Sequence, residues 1–186
     1  MNRKQLEHVL RAAGVATGHR RFVLIGSAAV FAWRETVSPV LAISREVDLF
    51  VDGQDAEETE RVADELDGVL GQASSFDETF GYHCDGVGPE TAILPLDWRD
   101  RAGEFQTPAT GGVMALAPEP NDLALSKLAA GRAKDMAWLL AAADEGLVDF
   151  RILRERLSRM PDERVPGGTA ALASRLSILE RKARAE

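Results

Sequence analysis

The acids Glu46 and Asp48, set in the run Glu46-Val47-Asp48-Leu49-Phe50-Val51, are the residues of this chain best suited to chemistry. Alternate residues of a strand point to one face, so both carboxylates project together while Val47 and Leu49 face a core. Hard divalent cations such as Mg²⁺ take oxygen ligands, usually one or two carboxylates completed by substrate phosphates. Two such ions ~3.5–4 Å apart clamp the attacking and leaving oxygens of an in-line displacement. Taken alone, the pair also fits the solvent face of an antiparallel strand. Earlier in the chain, Gly26-Ser27 ends the apolar run Phe22-Val23-Leu24-Ile25 and opens Ala28-Ala29-Val30-Phe31-Ala32-Trp33, which reads as an apolar helix. Glycine lets a backbone approach a ligand closely, and a helix N-terminus offers N–H groups to an anion. Ser27 either caps that helix or donates to a phosphate.

The elements that must position these residues follow from periodicity. Leu6, Val9, Leu10 and Ala13 recur at helical spacing within Gln5–Val15. Phe22–Ile25 and Val47–Val51 read as strands, the second closed by the turn pair Asp52-Gly53. Asp55 and Glu58 form a capping pair for a helix through Val62, Leu66 and Leu70. The stretch from Gln72 to Pro89 fits either short strands or a long loop. Within it, His83-Cys84-Asp85 reads as structural, because consecutive residues point apart and no second cysteine completes a zinc spacing. Thr91–Asp97 is strand-like, with Pro95 marking an edge or a bulge, and Val113–Leu116 is a further short strand. Asn121 to about Ala143 reads as one alanine-rich helix, the longest of the chain. Shorter helices follow over Phe150–Leu157 and Ala170–Ala185, with a Pro/Gly-rich linker, Pro161–Gly168, between them. Strands and helices intermixed, then helices alone, predict an α/β (α+β) fold: a small mixed sheet with flanking helices, then C-terminal helices. Residues 1–117 would form the core and 118–186 a helical part packed on it, as a single compact unit.

The chain has 186 residues and a formal charge of −8, ordinary globular usage without the broad basic field of a nucleic-acid-coating protein. One cysteine, Cys84, allows no internal disulfide. No apolar run reaches ~18 residues, so no membrane span is expected, and the reading is cytoplasmic.

On the long helix, Lys127, Gly131 and Lys134 share a face at steps of four and three, where two lysines would meet a triphosphate. Arg132 falls among Leu125, Leu128, Met136 and Leu139, so it should be a buried charge paired with Asp135 or a sheet carboxylate.

Together, Gly26-Ser27 and Glu46-Val47-Asp48-Leu49 resemble the hallmark of the nucleotidyltransferase superfamily that shares the DNA polymerase beta fold. The hallmark is a Gly-Gly or Gly-Ser turn, a spacer, then acid–hydrophobic–acid–hydrophobic on a strand. The chain is most similar to the minimal bacterial branch that includes AbiEii-type toxins of toxin–antitoxin systems. Ser44 stands where that branch has Thr or Ser, and Lys127, Ala130, Arg132, Lys134 and Asp135 resemble its helical motif. Glu46 departs from it, since the first acid there is Asp. The resemblance spans Phe22 to Phe150. It implies transfer of a nucleoside monophosphate from a triphosphate to an acceptor hydroxyl of RNA (tRNA, for example), protein or a small molecule. It further implies Mg²⁺ or Mn²⁺ held by Glu46, Asp48 and a third carboxylate, for which Asp97 is the choice over Glu90 and Asp100. Gly26, Ser27, Ser44, Lys127 and Lys134 would bind the nucleotide, and a cognate antitoxin or toxin would be a partner. The alternative is a catalytically inactive nucleotidyltransferase-fold binding partner or antitoxin-like module.

Overall fold

A computed structural model describes residues 1–185. The chain divides into two compact units. Among the described residues, 1–91 and 102–117 form the first, and 92–101 and 118–185 the second.

The first unit carries α1 (Arg3–Thr17), β1 (Arg21–Ile25), β2 (Glu46–Val51), α2 (Ala56–Leu70), α3 (Ser75–Phe80), β3 (His83–Gly86), β4 (Gly103–Phe105) and β5 (Met114–Ala117). The strands make one five-stranded sheet in the order β3-β2-β1-β5-β4. The sheet is mixed: β1–β2 and β4–β5 are antiparallel, whereas β1–β5 and β2–β3 are parallel. A capping box at Asn2 and Gln5 starts α1, and Leu6, Val9, Leu10 and Ala13 are fully buried, as their spacing predicts. Asp55 caps α2 by accepting the Glu58 N–H, and Val62, Leu66 and Leu70 bury its apolar stripe. α2 packs on β2 and β3. Gly86 permits that approach, since a β-carbon there would fall 2.1 Å from the Ala63 carbonyl oxygen. Val47, Leu49 and Cys84 are completely buried.

The run after Gly26 is not an α-helix. Ser27–Ala32 form a tighter 3₁₀ helix, with Gly26 rather than Ser27 at the cap position. Ala28, Ala29, Val30 and Phe31 are all buried, with Ser27 and Ala32 partly exposed at the two ends of this helix.

The second unit is helical: α4 (Pro120–Ala130), α5 (Ala133–Asp144), α6 (Phe150–Arg156) and α7 (Gly168–Ala183). The expected long helix is therefore two. Gly131 takes a left-handed conformation, φ 65°, and its N–H closes onto the Lys127 carbonyl, ending α4. Arg132 is extended, and α5 starts after it. At 16 residues, α7 is the longest described helix, and it buries Leu172, Leu176 and Leu179. Residues 91–97 form no strand. Pro95 offers no N–H to a ladder, and the segment is tied down otherwise, through Leu96 N–H to the Arg159 carbonyl at 2.9 Å. No helix among the described residues is long and apolar enough to cross a membrane.

Candidate active site

β1 and β2 run antiparallel with Ile25 opposite Asp48. The chain leaves β1 at the next residue, so the Gly26 turn arises beside the acid-bearing start of β2. Gly26 has φ 69° and ψ −166°, a combination essentially confined to glycine. A β-carbon on Gly26 would lie 1.8 Å from Asp48 Oδ2 and 2.9 Å from its Cγ. Any side chain at residue 26 would thus displace the Asp48 carboxylate. Turn and acid occupy one place.

Glu46 shares the Asp48 face, two residues toward the start of β2. Ser44 fixes its backbone: the hydroxyl accepts the Glu46 N–H and donates to the Glu46 carbonyl, both at 3.3 Å. In this geometry Ser44 shapes the entry to β2.

β3 lies parallel to β2, with Glu46 opposite His83 and Asp48 opposite Asp85. Registered partners point to one side, so this face carries two acids from β2 and His83 and Asp85 from β3. Cys84 points the other way, into the core. Ligand atoms of Glu46, His83 and Asp85 all lie within 4.8 Å of one another. The sequence reading takes His83-Cys84-Asp85 as structural because consecutive residues point apart, but alternate ones do not. Residues 83 and 85 are two apart on a strand and share a face for the same reason as 46 and 48.

Burial raises the Asp85 pKa above the ordinary carboxylate value; Glu46, Asp67 and Asp77 raise it further, and His83 opposes them. Asp77, on α3, lies 3.5 Å from His83 Nδ1, while His83 Nε2 lies 3.4 Å from Asp85 Oδ1. Asp77 itself is held below the ordinary value, first by the Ala73 N–H and then by His83 and Arg45. Burial pushes the Cys84 thiol well up, and Asp85, Asp48 and Asp67 add to it, so this cysteine is no nucleophile.

The donor set fits a divalent cation. Two carboxylates and an imidazole converge closely enough for one ion to meet all three, and the Asp48 carboxylate stands on the same face.

The remaining candidates lie in the second unit. Asp97 receives Arg101 Nη2 at 2.9 Å, and this bond lowers its pKa; Arg159 stands 4.0 Å away. Lys127 is not on a solvent face. It is 5 % exposed, lies 3.5 Å from Asp135 Oδ1 and sits 4.8 Å above the Trp138 ring. The break at Gly131 removes the shared face on which Lys127 and Lys134 were placed; Lys134 is exposed in the first turn of α5. The expected Arg132–Asp135 pair forms, at 2.7 Å, with its burial reversed: the Arg132 side chain is 58 % exposed and that of Asp135 is 2 % exposed. As the residue before α5, Arg132 escapes the apolar stripe that helical spacing assigned to it.

No curated protein and no solved structure matches the chain. A family model described as a nucleotidyltransferase of unknown function (DUF6036) matches residues 4–165. With a Gly-Ser turn closed onto an acid-bearing strand, the chain belongs to that nucleotidyltransferase family.

Proposed function

We propose that the face of β2 and β3 is a working transferase site, moving a nucleoside monophosphate from a triphosphate to an acceptor hydroxyl with release of pyrophosphate. The observation that carries this is the fit of Gly26 against Asp48, which leaves no room for a side chain between phosphate turn and acid. Glu46, Asp48 and Asp85 would hold Mg²⁺ or Mn²⁺. When bound, such a cation neutralises charge on the phosphates during in-line displacement. Gly26 lets the backbone come up to the terminal phosphates, and the Ser27 hydroxyl donates to them. Asp85, in register with Asp48, takes the third-carboxylate role for which Asp97 was the choice.

The similarity to AbiEii-type toxins supports a cytoplasmic role within a toxin–antitoxin pair, with tRNA, another RNA or a protein as acceptor. Incubation with α-labelled triphosphates and cell extract identifies the labelled class. Asp48→Ala abolishes that labelling while the circular dichroism spectrum stays unchanged; full turnover in this variant removes the mechanism. A catalytically inactive binding module is separated by calorimetry, because it takes up no triphosphate with either Mg²⁺ or Mn²⁺.

A further inference from the structure

We propose that His83 is a nitrogen ligand of the site, directing it toward a first-row transition metal such as Mn²⁺ in preference to Mg²⁺. The inference rests on the reading that the acids of β2 and β3 hold a cation. His83 is 8 % exposed, and its Nδ1 lies 3.5 Å from Asp77 Oδ1, close enough to direct the ring but longer than a made hydrogen bond. A histidine buried only to fill space would have apolar neighbours. This one stands between carboxylates, with Nδ1 toward Asp77 and Nε2 toward Asp85.

The arrangement has the form of a carboxylate–histidine–metal relay. A histidine ligand presents one ring nitrogen to the metal and turns the other to a carboxylate that fixes tautomer and orientation. Asp77 is itself fixed. Its Oδ2 accepts the Ala73 N–H at 3.1 Å, and its Oδ1 meets Arg45 Nη2 at 3.3 Å. Arg45 also donates from Nε to the Gly81 carbonyl at 2.8 Å, which ties α3 to the start of β2. With Nδ1 directed at Asp77, Nε2 is the nitrogen that faces Asp85 and the cation position shared with Glu46. Mg²⁺ demands near-octahedral oxygen and binds nitrogen poorly, whereas imidazole beside carboxylates suits first-row transition metals.

The test uses the full chain, without nucleotide, and Mn²⁺ alone as the probe. Pulsed electron paramagnetic resonance of bound Mn²⁺ should show coupling to an imidazole nitrogen, which disappears in His83→Gln. Calorimetry should show Mn²⁺ binding weakened by about 10–100-fold in His83→Gln and about tenfold in Asp77→Asn, with Mg²⁺ binding changed by less than about threefold. Wild-type protein that binds Mn²⁺ without nitrogen coupling overturns the proposal, as does wild-type protein that binds no Mn²⁺. The wild-type spectrum decides the matter even where a variant fails to fold. Nucleotide transfer without nitrogen coupling sinks this inference and leaves the transferase reading standing. Nitrogen coupling without transfer does the reverse.

Discussion

Two carboxylates, Asp85 in the first unit and Asp122 in the second, both have pKa values raised first by burial, but their neighbours differ in kind. Asp122 is fully buried and receives Arg101 Nε at 3.0 Å and Arg156 Nη1 at 3.0 Å, both of which pull its pKa back down. Arg156 also reaches Glu119. Asp85 has Glu46, Asp67 and Asp77 nearby, each pushing the same way as burial, with His83 alone opposing them. A buried acid matched by guanidinium groups is an internal tie of the fold. An acid gathered among acids costs stability, and such clusters concentrate where charge is needed for a ligand.

The comparison breaks most readily at the level of activity. Asp85→Asn should lower transfer by at least about 100-fold, the scale of losing one group that stabilises transition-state charge. Asp97→Asn, which disturbs only a partly exposed pair with Arg101, should stay within about threefold of wild type. Initial rates with a labelled triphosphate measure both; the opposite order would return the third-carboxylate role to Asp97. Stability reverses the ranking of the two units. Asp122→Ala removes the fully buried acid that joins Arg101 and Arg156, leaving them only Asp97 and Glu119, and should cost about 2–4 kcal/mol, a fall in Tm of roughly 5–15 °C. A thermal melt unchanged by Asp122→Ala would remove the contrast.

Much of the first unit was readable because its signals are local. Phe22–Ile25 is a continuous apolar run, Glu46–Val51 alternates acid with apolar residues before its buried end, and Gly26-Ser27 separates strand from helix. β3 was not readable. It is four residues long, contains His83, Asp85 and Gly86, and owes its strand character to parallel pairing with β2. The only hint was the spacing of residues 83 and 85, which mirrors that of 46 and 48. In the second unit the expected long helix failed at one glycine. Gly131 inside an alanine-rich run is tolerated by a helix, and the sequence does not show that it takes a left-handed turn and stops α4. Once it does, Asp135 comes within reach of Lys127, and an expected phosphate ligand is buried in an ion pair.

Gly26→Ala sharpens the contrast with a smaller change. The left-handed backbone penalises alanine by about 1–3 kcal/mol, and the added carbon must push the Asp48 carboxylate aside. Transfer should fall about 10–100-fold, with a Tm loss of a few degrees. Gly18→Ala serves as the control. It has a similar φ of 74°, but its β-carbon would meet nothing within 4 Å. Its ψ of −7° is that of a left-handed helical residue, unlike the −166° of Gly26, so it should lose less Tm and keep the activity. Equal activities in the two variants would separate Gly26 from the chemistry.

The smallest effect concerns Asp85 and pH. A carboxylate with a raised pKa in the folded state binds its proton more tightly there than in the unfolded chain. Stability of the metal-free protein is therefore lost as pH rises from the unfolded carboxylate value through the folded one, and stays lost at neutral pH. Asp85→Asn carries no charge to desolvate and should melt roughly 1–3 °C higher than wild type at pH 7, in the presence of chelator. Below the unfolded carboxylate range the two proteins should converge. Adding Mn²⁺ should reverse the order at pH 7, because only the wild type keeps its full donor set and gains the stabilisation of a ligand bound to the native state. Asp122 offers the counter-case. Its pKa is raised too, but Asp122→Asn also gives up the charge-assisted bonds from Arg101 and Arg156, and that loss should outweigh the relief of desolvation and lower Tm at pH 7 with or without the cation. A rise in Tm for both asparagine variants would mean that burial alone governs these carboxylates and that their neighbours carry no functional signal.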